Sequence, residues 1–180
     1  MNNIFGYTKE MLEEYFIGIG EKKYKDIQVF DWLYRKKIYD FNDFSNIKKS
    51  IIDRINSDFS NDFIKIEKVL EGLDVKKFLF RLLDGEKIEA VLMEHNYGLS
   101  VCVSSQVGCN MGCRFCESGR LKKVRNLDAY EIVEQILLIE EFIGKRIDSV
   151  VLMGIGEPFD NYDNIIKFIR IINDAHGLAI

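Results

Sequence analysis

The sequence predicts an α/β protein in which a small helical domain and a β-hairpin layer precede the start of a parallel sheet. Apolar residues recur at helical spacing between residues 8 and 59, and from Phe63 they alternate with a period of two, as strands do. After Leu99, strand-like runs alternate with helical ones, which indicates βα units and parallel strands. The expected domains are residues 1–60, 61–97 and 98–180.

Composition and charge limit the class of protein. Of the 180 residues, 47% are hydrophobic and 30% are charged, which is typical of a globular chain with a sizeable core. No apolar run approaches the ~20 residues that span a bilayer, and no signal-peptide pattern opens the chain. We therefore expect a cytoplasmic protein without a membrane partner. The net charge of -4 does not by itself indicate nucleic acid, because a basic domain is the usual footprint.

The helical domain is predicted from capping residues and apolar spacing. Thr8 can cap a first helix, a second helix covers Glu21–Lys37, and Ser45 can cap a third. Eight basic residues are expected at exposed positions: Lys22, Lys23, Lys25, Arg35, Lys36, Lys37, Lys48 and Lys49. They are compatible with a solvated helix surface and also with a surface that contacts nucleic acid.

The rest of the chain is predicted element by element. Asp84-Gly85 is a hairpin signal, and Asp128 with Glu131 forms a capping box that starts a helix running to about Gly144. The other expected elements are a strand at Leu99–Ser104, a loop at 106–126, a strand at Ile147–Met153, a helix at Asn161–Asp174 and a third strand starting at Leu178–Ile180. So few βα units cannot cover both faces of a parallel sheet, and we expect a fragment of a longer protein.

Two of these loops are expected to meet at one edge of the sheet. Loops that follow parallel strands all lie at the carboxyl ends of those strands. The loop at 106–126 and the segment Gly154–Pro158 each follow a predicted strand. They should therefore face one another, and the candidate site should lie between them.

The four cysteines all fall between residues 102 and 116, a clustering that favours metal or redox chemistry over structural disulfides. Cys109, Cys113 and Cys116 form a C-x3-C-x2-C pattern. Three thiolates can hold a four-iron–four-sulfur (4Fe-4S) cluster and leave one iron open to a small molecule. The alternative is structural zinc, which needs four ligands, with Cys102 as the fourth.

The cysteine pattern, with Phe115 before its last cysteine, resembles the signature of radical S-adenosylmethionine (radical SAM) enzymes. That resemblance implies that the open iron chelates the amino and carboxyl groups of S-adenosylmethionine. The run Gly154-Ile155-Gly156-Glu157-Pro158 resembles the second element of that family. By that resemblance, Gly156 and Glu157 would hold the amino group of the methionine moiety.

A closer resemblance is carried by Val101–Leu127 and extends over essentially the whole chain. It is to the RlmN/Cfr family of RNA methyltransferases, which methylate carbon atoms of adenine. The resemblance implies a truncated, partial (βα) radical-SAM barrel, preceded by a helical accessory domain that contacts RNA and includes Gln28–Tyr34. It also implies methylation of carbon 2 of an adenine in 23S ribosomal RNA, with transfer RNA as a further substrate. An electron donor such as flavodoxin or ferredoxin would supply the reducing electron.

The chemistry of that family implies roles for two further residues. A methylcysteine near the family's carboxyl terminus loses a hydrogen to a 5′-deoxyadenosyl radical and then adds to adenine. Cys102 stands at the same distance before Cys109 as the family's resolving cysteine, which releases the adduct by forming a disulfide. Glu89 stands at the same distance before Cys102 as the family's proton acceptor. The plainer alternative for Cys102 is a small buried thiol without a catalytic role, and for Glu89 it is a solvated carboxylate. Because the chain ends before the methyl-carrying cysteine, we expect it to be inactive alone.

Other functions stay open at this point. Glu117 stands where the family is expected to have a small residue, and the nearest variant is methylation at carbon 8 by the Cfr branch, although Val107 favours RlmN. A second class is an RNA-binding remnant without catalysis. A third is a radical enzyme with a small-molecule substrate. Binding of ribosomal RNA fragments without methylation would favour the remnant.

Overall fold

The computed structural model describes residues 2–180. Its helices are α1 (Lys9–Gly18), α2 (Lys25–Phe30), α3 (Lys49–Asp58), α4 (Ala129–Ile143) and α5 (Tyr162–Asn173). Its strands are β1 (Asn2–Asn3), β2 (Phe59–Ser60), β3 (Lys65–Glu71), β4 (Val75–Arg81), β5 (Lys87–His95), β6 (Gly98–Cys102), β7 (Gln106–Val107), β8 (Arg125–Asn126) and β9 (Ser149–Val151).

The helices of the first sixty residues only partly follow the prediction. Thr8 caps α1 as expected, its hydroxyl accepting from the backbone N–H of Met11 (3.3 Å). The prediction that Ser45 caps a helix was wrong, because α3 begins at Lys49 without a side-chain cap. The second helix is shorter than predicted, because α2 passes into a π-helical stretch and the chain then turns at Lys37, where φ is 54°.

Two of the eight basic residues are not exposed as predicted. Lys25 is buried, and its Nζ donates to Oε1 of Gln28 (2.9 Å). Lys37 is half-buried because its Nζ pairs with the carboxylate of Glu140 on α4 (2.8 Å). The other six basic residues are exposed, so a basic surface remains on this part of the chain.

Aromatic packing closes the helical part against its neighbours. The buried ring of Phe5 makes edge contacts with Tyr34, Tyr39 and Phe63, at centroid distances of 5.8, 5.6 and 4.7 Å. Aromatic side chains bury large areas and favour this geometry. Phe5, which precedes the helices, therefore contacts residues between them and a residue that follows them.

The main sheet has five strands in the order β3-β4-β5-β6-β9. The first four are antiparallel neighbours, and only the β6–β9 pair is parallel. The hairpin predicted at Asp84-Gly85 is confirmed, with Gly85 at a φ of 90°. The hairpin layer that is expected to connect the helical domain to the core forms one sheet with β6, because β5 pairs directly with β6.

Two predicted strands differ from the structure. The strand expected over Ile147–Met153 is reduced to the three residues of β9. The strand expected at Leu178–Ile180 does not form among the described residues. Ala179 has a φ of 53°, which interrupts extended backbone, and the N–H of Ile180 donates to the carbonyl of Ile172 on α5 (2.9 Å).

The two faces of the main sheet differ in their environment. Alternate residues of β4 and β5 are buried, and Phe78 among them packs against Phe142 of α4 at a centroid distance of 5.4 Å. The residues between them, such as Val91 and Met93, are only half-buried. Because side chains alternate along a strand, one face of the sheet is covered by α4 and the other is open.

Helix α4 carries a row of buried polar residues that bind separate parts of the chain. Its predicted capping box, Asp128 with Glu131, is confirmed, and Gly144 ends the helix at a φ of 64°. Glu134 accepts from the N–H of Ile64 (2.9 Å) and from the side chain of Asn3 (3.2 Å). Glu140 accepts from the N–H of Ile147 (2.7 Å). Sequence reasoning identified Glu131 as a cap and missed the roles of the others.

The buried Glu134 predicts an unusual dependence of stability on pH. Burial raises the pKa of Glu134 to about 8, although the hydrogen bonds from Ile64 and Asn3 oppose the shift. The folded chain then binds a proton that the unfolded chain has released above its ordinary pKa of 4.5. The contribution of this proton to the free energy of unfolding falls by up to about 1.4 kcal/mol per pH unit as the pH rises towards about 8.

The measurement is urea unfolding of wild type and Glu134→Gln at several pH values between about 5 and 8.5. We expect wild type to lose stability relative to the variant as the pH rises through this range. Glu141→Gln, an exposed position on the same helix, is the matched control. Parallel stability curves for wild type and Glu134→Gln would contradict the prediction.

Candidate functional site

The cysteine loop has a short antiparallel stem that the sequence did not predict. β7 pairs with β8, so that Gln106 lies opposite Asn126. Beyond this ladder the N–H of Cys109 donates to the carbonyl of Leu121 (2.9 Å). Gly108 has a φ of 72°, and a side chain there would collide with the backbone of Lys122. The predicted loop at 106–126 is therefore a closed hairpin whose tip carries Cys113 and Cys116.

Arg125 fixes the stem to two other elements. Its guanidinium makes a two-pronged pair with the buried carboxylate of Glu131 on α4 (2.7 and 2.8 Å). It also donates to Asp84 in the β4–β5 turn (2.7 Å). Hydrogen bonding to Glu131 raises the pKa of Arg125 further above its usual value. Two-pronged arginine–carboxylate pairs are geometrically specific, so the base of the cysteine loop has a defined position.

The three predicted cluster ligands lie on this loop as free thiols. Cys113 is exposed, and Cys109 and Cys116 are half-buried. Within residues 2–180, no group of three or more His, Cys, Asp or Glu side chains is arranged so that it could hold a metal ion. The donor set itself fits an iron–sulfur cluster, since it offers three unpaired thiols on one loop. Their role as cluster ligands stays a prediction.

The glycine segment Gly154–Glu157 lies directly against the start of the cysteine loop, as predicted. The N–H of Gly154 donates to the carbonyl of Val103 (3.1 Å), and the N–H of Glu157 donates to Oε1 of Gln106 (2.9 Å). A side chain at Gly154 would come within 2.7 Å of the backbone of Val103. Glycine is therefore required at this close approach.

The other two predicted site residues share the open face of the main sheet. Cys102 on β6 lies opposite Val91 on β5, and Glu89 precedes Val91 by two residues. Diagonal neighbours of this kind are roughly 7–8 Å apart. Burial raises the pKa of the Cys102 thiol. Glu89 is a half-exposed carboxylate that pairs with Nζ of Lys77 (2.7 Å).

The site also contains polar residues that sequence reasoning missed. Ser104, Gln106, Gln135 and Asn161 are buried and bind the two loops through hydrogen bonds. The available signal was the polar run Ser104-Ser105-Gln106 directly after a buried strand. Such residues are buried only when their polar atoms find partners.

Comparisons with known proteins identify two family models that match this chain. Residues 2–60 match the model of the ribosomal RNA large subunit methyltransferase N-terminal domain, and residues 103–180 match that of the radical SAM superfamily.

None of the helices in the described part of the chain is long and apolar enough to cross a membrane.

Curated relatives extend the match to nearly the whole chain. A probable dual-specificity RNA methyltransferase RlmN of Streptococcus thermophilus (strain CNRZ 1066) is 48% identical over 184 residues, which cover 99% of this chain and 47% of that protein. Its namesake in Lactococcus lactis subsp. cremoris (strain MG1363) is 49% identical over 184 residues, 99% of this chain and 50% of that protein. The chain spans about half the length of the curated relatives that it matches.

A solved structure shows a similar fold. The crystal structure of a radical SAM methyltransferase from Sphaerobacter thermophilus superimposes with a TM-score of 0.86 and 31% sequence identity, over 99% of this chain and 54% of that one. Membership of the radical SAM superfamily implies a 4Fe-4S cluster and S-adenosylmethionine. The sequence matches and this shared fold place the chain in the RlmN family of the radical SAM superfamily.

Proposed function

We propose that this chain supplies the cofactor-binding half of a radical SAM methyltransferase that acts on carbon 2 of an adenine in 23S ribosomal RNA. Transfer RNA is the second substrate class in the proposal, and a flavodoxin or ferredoxin is the electron donor. The observation that carries it is that Glu89 and Cys102 share one open sheet face, and that β6 leads from that face into the cysteine loop.

The proposal assigns the cofactors to the two loops that meet at the sheet edge. Cys109, Cys113 and Cys116 would hold the 4Fe-4S cluster, and Gly156 and Glu157 would hold S-adenosylmethionine. Together these groups supply one-electron cleavage chemistry when bound. The chain's own contribution is to hold the two loops against each other, through the contact between Gly154 and Val103.

Glu89 and Cys102 would act on the RNA adduct from the open face. Glu89 accepts a proton from the adenine ring, and its carboxylate lies 2.7 Å from Nζ of Lys77. The Cys102 thiolate attacks the carrier sulfur, so that an S–S bond forms as the bond from that sulfur to the transferred carbon breaks, and this carbon takes up a proton to become the methyl group of the released base. Burial raises the pKa of the Cys102 thiol, so its thiolate forms less readily than that of a solvent-exposed cysteine.

The proposal divides the chain into three parts. Residues 1–60 form the unit that contacts RNA, residues 61–97 the connecting strands, and residues 98–180 the start of the core. Seven basic residues are exposed in the first part: Lys22, Lys23, Arg35, Lys36, Lys48, Lys49 and Arg54. Lys36 also lies over the ring of Trp32, at 3.6 Å from Nζ to the centroid. Cations and aromatic rings of this kind suit phosphates and unstacked bases.

The test requires a protein of the relatives' full length that contains this chain. It is incubated anaerobically with 23S ribosomal RNA, transfer RNA, S-adenosylmethionine and reduced flavodoxin, and the nucleosides are analysed by mass spectrometry. We expect 2-methyladenosine from wild type and a loss of at least about a hundredfold in Glu89→Gln and Cys102→Ala. Glu71→Gln, an exposed position on β3, is the control.

Three outcomes would count against parts of this proposal. Formation of 8-methyladenosine would assign the protein to the carbon-8 branch. RNA binding without methylation would favour a non-catalytic RNA-binding protein. Full methylation by the 180-residue chain alone would refute the expectation that it is inactive without the remaining half.

A further inference from the structure

The segment Val103–Gln106 provides a template of hydrogen-bonding groups for the segment Gly154–Glu157. Backbone groups make the first set of bonds. The N–H of Gly154 donates to the carbonyl of Val103 (3.1 Å), and the N–H groups of Ser105 and Gln106 both donate to the carbonyl of Ile155 (2.9 and 3.1 Å). The two segments are thus paired although, of their residues, only Gln106 at the start of β7 belongs to a strand.

Two side chains of the template bind two further amides of the glycine segment. Oγ of Ser104 accepts from the N–H of Ile155 (2.9 Å) and donates to the carbonyl of Glu89 (2.6 Å). Oε1 of Gln106 accepts from the N–H of Glu157 (2.9 Å). The amides of Gly154, Ile155 and Glu157 therefore all have partners in the template.

The template side chains are themselves fixed. Gln106 donates to Oδ1 of Asn126 on β8 (2.8 Å), which determines the direction in which its Oε1 points. Gln135 of α4 accepts from the N–H of Ser104 (2.9 Å) and donates to the carbonyl of the same residue (3.1 Å). Ser104, Gln106 and Gln135 each have 0% exposure. Buried groups with every partner satisfied hold a single geometry.

The packing between the two segments leaves no space for a side chain at Gly156. Gly156 has a φ of 110°, which side chains rarely adopt. A side chain there would come within 2.6 Å of Cβ of Gln106 and 2.7 Å of Oγ of Ser105. The side chain of Gln106 is thus in van der Waals contact with the glycine that precedes Glu157.

We propose that Ser104 and Gln106 are positioning residues that hold Gly154–Glu157 in its ligand-binding shape before S-adenosylmethionine arrives. The inference rests on the proposed function, which assigns that ligand to the glycine segment. The two residues act through the segment and make no contact with the ligand. A segment that is already ordered loses less conformational freedom on binding, and its affinity is correspondingly higher.

The first measurement is amide hydrogen exchange of the 180-residue chain without cofactors. In wild type, the amides of Ile155 and Glu157 should be protected from exchange. Gln106→Met keeps the length of the side chain but removes the acceptor, so the Glu157 amide should exchange at least about tenfold faster. Ser104→Ala should have the same effect on the Ile155 amide. Amides within α4 should be unchanged, which excludes general unfolding.

The second measurement is the affinity of the cluster-loaded chain for S-adenosylmethionine, from equilibrium dialysis under anaerobic conditions. We expect the dissociation constant of Gln106→Met to rise about tenfold while iron content stays at the wild-type level. Gln106→Glu keeps an acceptor for the Glu157 amide but cannot donate to Asn126, so it should recover only part of the loss. Gln28→Met, the same substitution on α2, should bind like wild type.

The outcomes separate this inference from the proposed function. Equal exchange of the Glu157 amide in wild type and Gln106→Met would overturn the positioning role. Normal S-adenosylmethionine affinity in Gln106→Met would overturn it as well. Failure of the wild-type chain to bind S-adenosylmethionine would instead refute the proposed function, and the exchange result would still decide whether the template orders the segment.

Discussion

Replacing Cys113 by alanine should remove the iron from the chain. With three thiolates, a 4Fe-4S cluster has one protein ligand on each of three irons, and the loss of one leaves two irons open. Cys113 is exposed, whereas Cys109 and Cys116 are half-buried. We expect anaerobically reconstituted wild type to hold about four irons per chain and Cys113→Ala to hold fewer than about one. The measurement is iron and sulfide analysis together with electron paramagnetic resonance of the reduced chain.

Cys102→Ala is the matched control, because it removes a thiol from the same part of the chain but outside the C-x3-C-x2-C pattern. It should keep its iron. If Cys102→Ala lost metal as completely as Cys113→Ala, and the metal were zinc, then a four-cysteine zinc site would replace the cluster. The signal of the reduced wild type should also shift on addition of S-adenosylmethionine. No shift would mean that this chain cannot bind the ligand at its cluster.

Elements that depend on neighbouring residues could be predicted well from the sequence. Helix α4 begins and ends where its capping box and Gly144 indicate, because capping is a contact between residues a few positions apart. The hairpin at Asp84-Gly85 is likewise a local signal. The tertiary contact between the cysteine loop and Gly154–Glu157 was also predictable, because it follows from the general geometry of parallel strands.

Elements that depend on distant partners could not be predicted. The alternating pattern indicates that β5 and β6 are strands, but it does not show that they pair and join the hairpin to the core. The pairing brings Cys102 opposite Val91, and only then do Glu89 and Cys102 share a face. The strand expected at Leu178–Ile180 does not form for the same reason, since the N–H of Ile180 donates to a carbonyl of α5 instead.

The polar framework of the candidate site was the hardest part to foresee. The sequence motifs identify the residues that would touch cofactors, since the chemistry requires thiols, glycines and a carboxylate. Gln106 and Gln135 satisfy backbone groups of loops that are far apart in the sequence. Their partners depend on the complete fold, so no spacing rule indicates them. Glutamine is a common residue, and only the positions of these two in the fold give them their role.

The second large effect is expected at Arg125, which joins the cysteine loop to the core. Replacement by alanine leaves the carboxylate of Glu131 at 1% exposure without its countercharge. Breaking a buried ion pair in this way costs about 3–5 kcal/mol. The capping bond from the N–H of Asp128 to Glu131 (2.8 Å) offsets part of this cost. We expect Arg125→Ala to lower the free energy of unfolding by about 3 kcal/mol, measured by urea denaturation of the cofactor-free chain.

Arg120→Ala is the matched control on the same loop. Its partner is Glu117, and both side chains are largely exposed, at 79% and 83%, so water replaces the lost contact and the cost should stay below about 1 kcal/mol. In Arg125→Ala/Glu131→Gln the buried charge is gone, and stability should recover partly. Equal losses in Arg120→Ala and Arg125→Ala would show that the pair with Glu131 does not fix the stem. A loss in Arg125→Ala without recovery in the double variant would place the cost on the Asp84 contact instead.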